Sequence, residues 1–94
     1  MKRYTVVWDE TVEADFLSAW LRSQSEERQA LTEIANTIDQ SLSTNAESKG
    51  QQQPDEATRA IIIGVLSANI TVFYEVLSAE HRVLVRRLVF RRAD

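Results

Sequence analysis

The chain contains no cysteine and only one histidine, His81. Disulfides and thiolate metal sites are therefore excluded, and so is a metal centre built from several histidines. The sequence also lacks a phosphate-binding loop, a dinucleotide fingerprint, a zinc-type ligand spacing and a nucleophile elbow. We therefore expect no metal and no cofactor, and the lack of cysteine fits a reducing cytosol.

Long apolar runs are also missing. The most apolar stretch, residues 60–77, is interrupted by polar side chains such as Asn69 and Glu75, and the N-terminal residues do not resemble a secretory segment. With 94 residues, of which 44% are hydrophobic, the chain has room for one compact core. We expect a single domain over residues 1–94 that is cytoplasmic and not associated with a membrane.

Charge is distributed unevenly along the chain. Residues 1–80 carry a net charge of −7 and residues 81–94 a net charge of +4, which together give the overall −3. The basic end holds five of the nine arginines. A local patch of one sign is what meets an oppositely charged partner, so this segment is expected to bind an anionic group.

Hydrophobic periodicity predicts a strand followed by two helices. Tyr4–Trp8 is aromatic and β-branched with alternating faces, and Asp9 is a suitable cap for a helix after it. The second helix has the clearest pattern, an apolar stripe that ends at Leu42. Residues 43–57 are polar and contain no hydrophobic residue larger than alanine, so we expect a flexible loop there, either a spacer or a partner-binding surface.

Three β runs come after the polar loop. They cover Thr58–Gly64, Ile70–Leu77 and Arg82 to about Arg91, and Ser78–His81 forms a turn between the last two. In the second run Tyr74 shares its face with apolar residues, which predicts a core position. The expected fold class is α+β, in the order β-α-α-β-β-β, with the last three strands forming an antiparallel meander.

The last strand mixes arginine with apolar residues at both odd and even positions, so periodicity does not show which face is buried. One interpretation places Arg87 and Arg91 on an open sheet face, with Arg86 near an edge. The alternative is a solvated edge strand, whose charge discourages aggregation. Arginine binds carboxylate or phosphate in bidentate geometry, which favours an acidic protein segment or a nucleic acid as partner.

The order of these elements resembles the RelE/ParE superfamily of toxins from toxin–antitoxin modules. The resemblance covers almost the whole chain, and its most specific part is the pair of final strands, Val72–Val76 and Val83–Arg92. It implies a cognate antitoxin with an acidic and apolar tail as partner. It also implies inhibition of DNA gyrase or ribosome-dependent cleavage of mRNA as the toxic activity.

Site residues can be assigned from the resemblance one by one. Arg91 lies where the nuclease members have a catalytic arginine, whereas Thr71 and Phe90 occupy positions where arginine and histidine are expected. We therefore expect binding rather than cleavage, through Arg86, Arg87, Arg91 and Arg92. If the chain is instead an mRNA endoribonuclease, the candidate catalytic residues are Arg91, Arg59 and His81, with Tyr74 as a further candidate for proton transfer. A nucleic-acid-binding module without catalysis and a non-toxic relic of the family are also compatible with the sequence.

Overall fold

The computed structural model describes residues 2–65 and 68–92, without the side chains of Val65, Ala68 and Arg92. Two helices and five strands make up this part of the chain. In chain order they are β1 (Thr5–Trp8), α1 (Glu10–Arg22), α2 (Ser25–Leu42), β2 (Gln51–Gln52), β3 (Thr58–Val65), β4 (Ala68–Leu77) and β5 (Arg82–Arg92). The predicted α+β class is confirmed. No helix in the described residues has the length and apolar character needed to cross a membrane.

The five strands form one mixed sheet in the order β1-β5-β4-β3-β2. All neighbours are antiparallel except β1 and β5, which run parallel with Thr5 opposite Arg82. The predicted strand count was wrong by one strand, because Gln51 and Gln52 in the polar segment pair with Ala60 and Arg59. Only long-range pairing creates this short strand, since nothing in its local sequence favours a strand.

The helices begin and pack as their sequences predict. The Asp9 carboxylate accepts a hydrogen bond from the Thr11 N–H at 3.0 Å and so caps α1. The apolar stripe of α2 buries Ile34, Ile38 and Leu42 against the sheet. α1 is more loosely packed, because none of its side chains is fully buried.

The core lies between the helices and one face of the sheet. Tyr74 is fully buried there, as predicted, together with Ile70, Val72, Val83 and Val85. Within the described residues, no helix covers the opposite face, which we call the open face. Phe73, Ile62 and Val7 lie on it by strand register, and Ile62 and Val7 are exposed.

The polar segment 43–57 has more regular structure than its composition predicts. It contains a 3-10 turn at Ala46–Ser48, in which Ala46 is completely buried, and then β2. The Tyr74 hydroxyl donates to the carbonyl oxygens of Ala46 at 2.9 Å and Lys49 at 2.7 Å. Tertiary contacts thus hold the first half of the segment against the sheet. The predicted flexibility of residues 43–57 as a whole stays a prediction.

Candidate functional site

A β-bulge in β5 determines which side chains of the basic strand face the helices. In the pairing with β4, Phe73 lies opposite Arg87 and Tyr74 lies opposite Val85, so Arg86 is the extra residue. Before the bulge the core-facing residues are odd-numbered (Val83, Val85), and after it they are even-numbered (Leu88, Phe90). The bulge therefore explains why arginine and apolar residues occur at both odd and even positions: it shifts the core-facing positions of β5 by one residue.

Arg86, Arg87 and Arg91 consequently lie on the open face, and we call these three the arginine face. Arg82, opposite Leu77, lies on the same face at the other end of β5. Arg87 pairs with Phe73 and Arg91 with Asn69, both open-face positions of β4. An unbroken strand would have placed Arg86 and Arg87 on opposite faces. The side chain of Arg92, also predicted to bind the partner, lies outside the described part of the chain.

Few acidic groups neutralise the arginine face. Arg86 forms an exposed ion pair with Glu75, with 3.6 Å between the guanidinium nitrogen and the carboxylate oxygen. The Arg87 guanidinium lies 5.3 Å from the centre of the Phe73 ring, a cation–π contact. Within the described residues, neither Arg87 nor Arg91 has a carboxylate within ion-pair distance.

An apolar cleft opens beside the arginine face. It has a volume of about 460 Å³ and lies between the two helices and the second half of β5. Phe90 lies in this cleft, and 49% of its surface is exposed. The cleft is lined mainly by Val12, Phe16, Ala19, Leu31, Leu88 and Phe90, with Asp15, Arg86 and Arg87 among its polar residues. An apolar cleft of this kind with a few polar side chains at its rim is the main candidate for a binding site.

The edge of β5 is open next to the cleft. β1 pairs only with Arg82–Val85, and the last contact on that side is the Asp9 N–H bonded to the Val85 carbonyl oxygen at 2.9 Å. Beyond Val85, β5 has a strand neighbour on one side only within the described residues. Unpaired backbone groups at such an edge can accept an additional strand.

The three candidate catalytic residues lie in three different places. Arg59 is on the helix-facing side of β3, where its Nε donates to the Lys49 carbonyl oxygen at 2.8 Å and its Nη2 to that of Gly50 at 3.2 Å. His81 is an exposed turn residue with a left-handed backbone (φ 53°), at the opposite end of β5 from Arg91. Ten residues of strand span ~33 Å, so the structure does not bring His81 and Arg91 together.

The other residues singled out by the resemblance are also spread over the fold. Thr71 lies on the open face opposite Val89, whereas Phe90 faces the cleft. The Tyr74 hydroxyl is buried in its bonds to the polar segment, and this burial raises its pKa above the usual value of 10. Tyr74 is therefore a structural residue and has no access to a substrate on the open face.

The sequence did not predict a cluster of polar side chains that lies near the start of β1. The Tyr4 hydroxyl donates to the Glu47 carboxylate, and Lys2 lies 3.9 Å from the same carboxylate group. This hydrogen bond lowers the pKa of Glu47 and raises that of Tyr4. The cluster fastens the 3-10 turn of the polar segment to the start of β1 and is remote from the arginine face.

The sequence carries only a partial signal for the bulge. The adjacent pair Arg86-Arg87 stands where the buried apolar positions change from odd to even numbering. Leu84 and Val89 hide this change, because they are apolar residues of the open-face series. The cleft has no such signal, since it depends on how far α1 stands from the sheet.

Searches against protein-family models, curated proteins and solved structures find no match for this chain.

Proposed function

We propose that the chain is a toxin-like component of a RelE/ParE-type toxin–antitoxin module, and that it acts by binding. In this proposal an acidic and apolar segment of a partner protein, the antitoxin, occupies the cleft and contacts the arginine face. The observation that carries the proposal is the bulge at Arg86-Arg87, which places Arg86 on the same face as Arg87 and Arg91, with Arg86 and Arg87 lining an apolar cleft. The cytoplasm is the expected compartment, and DNA gyrase or the ribosome is the expected target of the toxin.

The cleft supports an apolar contribution to binding. About half of the surface of Phe90 is exposed, and Leu88 and Phe16 line the same space. Covering the exposed half of a phenylalanine removes roughly 100 Å² of apolar surface from water, which is worth about 2–3 kcal/mol. A partner with leucine- or valine-sized side chains would gain this energy.

The arginine face supports an acidic contribution. Within the described residues Arg87 and Arg91 have no ion-pair partner, so a partner carboxylate would displace none of these described residues there. The rest of the chain is acidic, which disfavours binding of the same segment elsewhere on the molecule.

The open edge of β5 indicates how one segment would reach both features. A strand added beyond Val85 would direct alternate side chains to opposite faces of the sheet. One set would enter the cleft beside Phe90, and the other would lie near Arg87 and Arg91. The partner segment should therefore alternate apolar and acidic residues.

Binding can be tested with a synthetic peptide in which Asp or Glu alternates with Leu or Val. We expect measurable affinity in isothermal titration, and about tenfold weaker binding for the variant Arg87→Gln/Arg91→Gln, which loses two charge contacts. The matched control is Arg3→Gln, which changes an exposed arginine just before β1 and should bind normally. Equal affinity for a scrambled peptide, or an unchanged double variant, would contradict this binding mode.

Toxicity can be tested separately by induced expression in a bacterial host. Growth arrest with intact RNA supports a binding toxin, and DNA damage during the arrest indicates gyrase as the target. Arrest with cleaved messages would instead support the endoribonuclease hypothesis, despite the separation of Arg59, His81 and Arg91. Normal growth at a verified expression level would refute the toxin part of the proposal and favour a non-toxic relic.

Nucleic-acid binding is a second candidate function, favoured by one observation. Arg87 stacks over Phe73 on the open face, and an aromatic ring combined with arginines is the usual surface for stacking single-stranded bases. If Arg86, Arg87 and Arg91 each contacted one phosphate, log K would fall with log salt at a slope of roughly −2 to −3. A slope near zero with single-stranded RNA would exclude this function.

A further inference from the structure

The outer edge of β3 is only partly covered. β2 pairs with Arg59 and Ala60 and with no later residue of β3, so within the described residues Ile61–Val65 has β4 as its only strand neighbour. This edge is at the opposite side of the sheet from β5 and the cleft. A chain that paired with this edge would therefore bind independently of the proposed function.

Backbone groups of Ile62 and Gly64 point out of this edge. The Gln53 N–H donates to the Thr58 carbonyl oxygen at 2.8 Å, which shows that Thr58 directs its backbone groups away from β4. Orientation alternates along a strand, so Ala60, Ile62 and Gly64 point the same way as Thr58. β2 covers Ala60, whereas no backbone hydrogen bond reaches Ile62 or Gly64 from that side among the described residues.

The edge also lacks the features that normally protect a free strand. Residues 60–74 include no charged residue and no proline, and the Ile62 side chain is 71% exposed. Monomeric proteins usually place a lysine, a proline or a bulge at such an edge to prevent pairing with another chain. The bare edge of β3 is therefore suited to pairing.

We infer that Ile61–Val65 pairs with the same segment of a second copy of this chain, in antiparallel orientation. With the two-fold axis at Ile63, Ile62 of each copy lies opposite Gly64 of the other. These are the two residues whose backbone groups point outward, and each Ile62–Gly64 pair can form two hydrogen bonds. The exposed Ile62 side chain then lies over a glycine, where no partner side chain opposes it.

The length of the open edge favours a second copy as the occupant. It begins after Ala60, the last residue of β3 that pairs with β2, and it ends with β3 at Val65. Self-pairing in this register matches five residues with the same five residues, and no like charges oppose each other. The joined sheets would have ten strands, with both arginine faces on the same side.

The interface would be small. Five strand residues per copy bury well below the ~800 Å² per partner that is typical of stable complexes. The dimer should therefore form and dissociate with concentration. In sedimentation equilibrium, the apparent mass should rise from 10.7 kDa towards twice that value as the protein is concentrated.

Two substitutions at Ile62 test the inference. Ile62→Pro removes an outward N–H, and proline is tolerated at an edge position whose N–H does not bond to the neighbouring strand. Ile62→Lys keeps the N–H and places two like charges near the two-fold axis. Both variants should lose the concentration-dependent doubling of mass. Leu17→Lys, at a 53% exposed position of α1, is the matched control and should keep it.

Far-ultraviolet circular dichroism shows whether each variant is folded. If Ile62→Pro does not fold, the mass of Ile62→Lys alone tests the inference. Hydrogen exchange gives a second readout, because the amides of Ile62 and Gly64 should become more protected as the wild-type protein is concentrated. A wild-type protein that stays at 10.7 kDa throughout overturns the inference. A dimer that survives both Ile62 substitutions also overturns it, because association would then use another surface.

Discussion

Tyr74→Phe tests whether the polar segment 43–57 contributes to the stability of the fold. The substitution removes one hydroxyl and preserves the buried ring. In the wild-type protein this hydroxyl donates to the carbonyl oxygens of Ala46 and Lys49, at 2.9 and 2.7 Å. If the segment were a mobile spacer, losing these bonds would have little effect.

The expected loss depends on which hydrogen bonds each carbonyl keeps. The Lys49 oxygen still accepts from Arg59 Nε at 2.8 Å, so it remains satisfied. The buried Ala46 residue keeps only a long bond to its carbonyl, from the Lys49 N–H at 3.4 Å. One lost bond plus one poorly satisfied buried acceptor should cost about 1–2 kcal/mol. In a domain of this size, each kcal/mol lowers Tm by about 4–8 °C.

Urea denaturation, followed by tryptophan fluorescence and by circular dichroism, measures this loss. Tyr4→Phe is a comparison for burial: it removes a phenol hydroxyl that also bonds to the polar segment, but its partner Glu47 is only half-buried and can be hydrated, so the loss should be smaller. A Tyr74→Phe protein as stable as wild type would refute the reasoning and restore the spacer interpretation of the segment.

The pH dependence gives Tyr74→Phe a second signature. Burial raises the pKa of Tyr74 in the folded state above its usual value of 10. The folded protein therefore holds the phenol proton more tightly than the unfolded chain does. This stabilisation is complete below about pH 10 and is lost as the pH rises through the folded-state pKa. Stability of the phenylalanine variant should fall less steeply in this alkaline range.

Two further predictions concern the glycines at Gly50 and Gly64 and the carboxylate of Asp55. Gly50 has a left-handed backbone (φ +66°), and a Cβ there would overlap the Ala60 carbonyl, so Gly50→Ala should lower the free energy of unfolding by more than about 1 kcal/mol. Gly64→Ala should be tolerated in the monomer, because its Cβ would lie 3.4 Å from Asn69 Oδ1; similar urea midpoints for the two variants would refute this contrast. Asp55 accepts hydrogen bonds from Thr58 and Ala57, which lower its pKa below the usual 3.8. The contribution of Asp55 to the free energy of unfolding is therefore present at neutral pH and is lost as the pH falls through its folded-state pKa. The difference in stability between wild type and Asp55→Ala should narrow in acid, and a constant difference would contradict this prediction.

Local pattern was sufficient for much of the fold. The stripe ending at Leu42, the cap at Asp9 and the alternation that buries Tyr74 are properties of neighbouring residues, and the structure confirms all three. Strand boundaries agree within two residues, as for β4, which begins at Ala68 where Ile70 was predicted. The concentration of arginine in the last strand was also evident from composition alone.

The sequence by itself therefore determined the α+β class, the order of the main elements and the basic character of β5. Only the tertiary structure decided that Arg86 and Arg87 share a face, because a bulge depends on the register with β4 and not on β5 alone. The same applies to β2 and to the separation of Arg59, His81 and Arg91. Their positions depend on pairings between residues far apart in the chain, which periodicity within one segment does not encode.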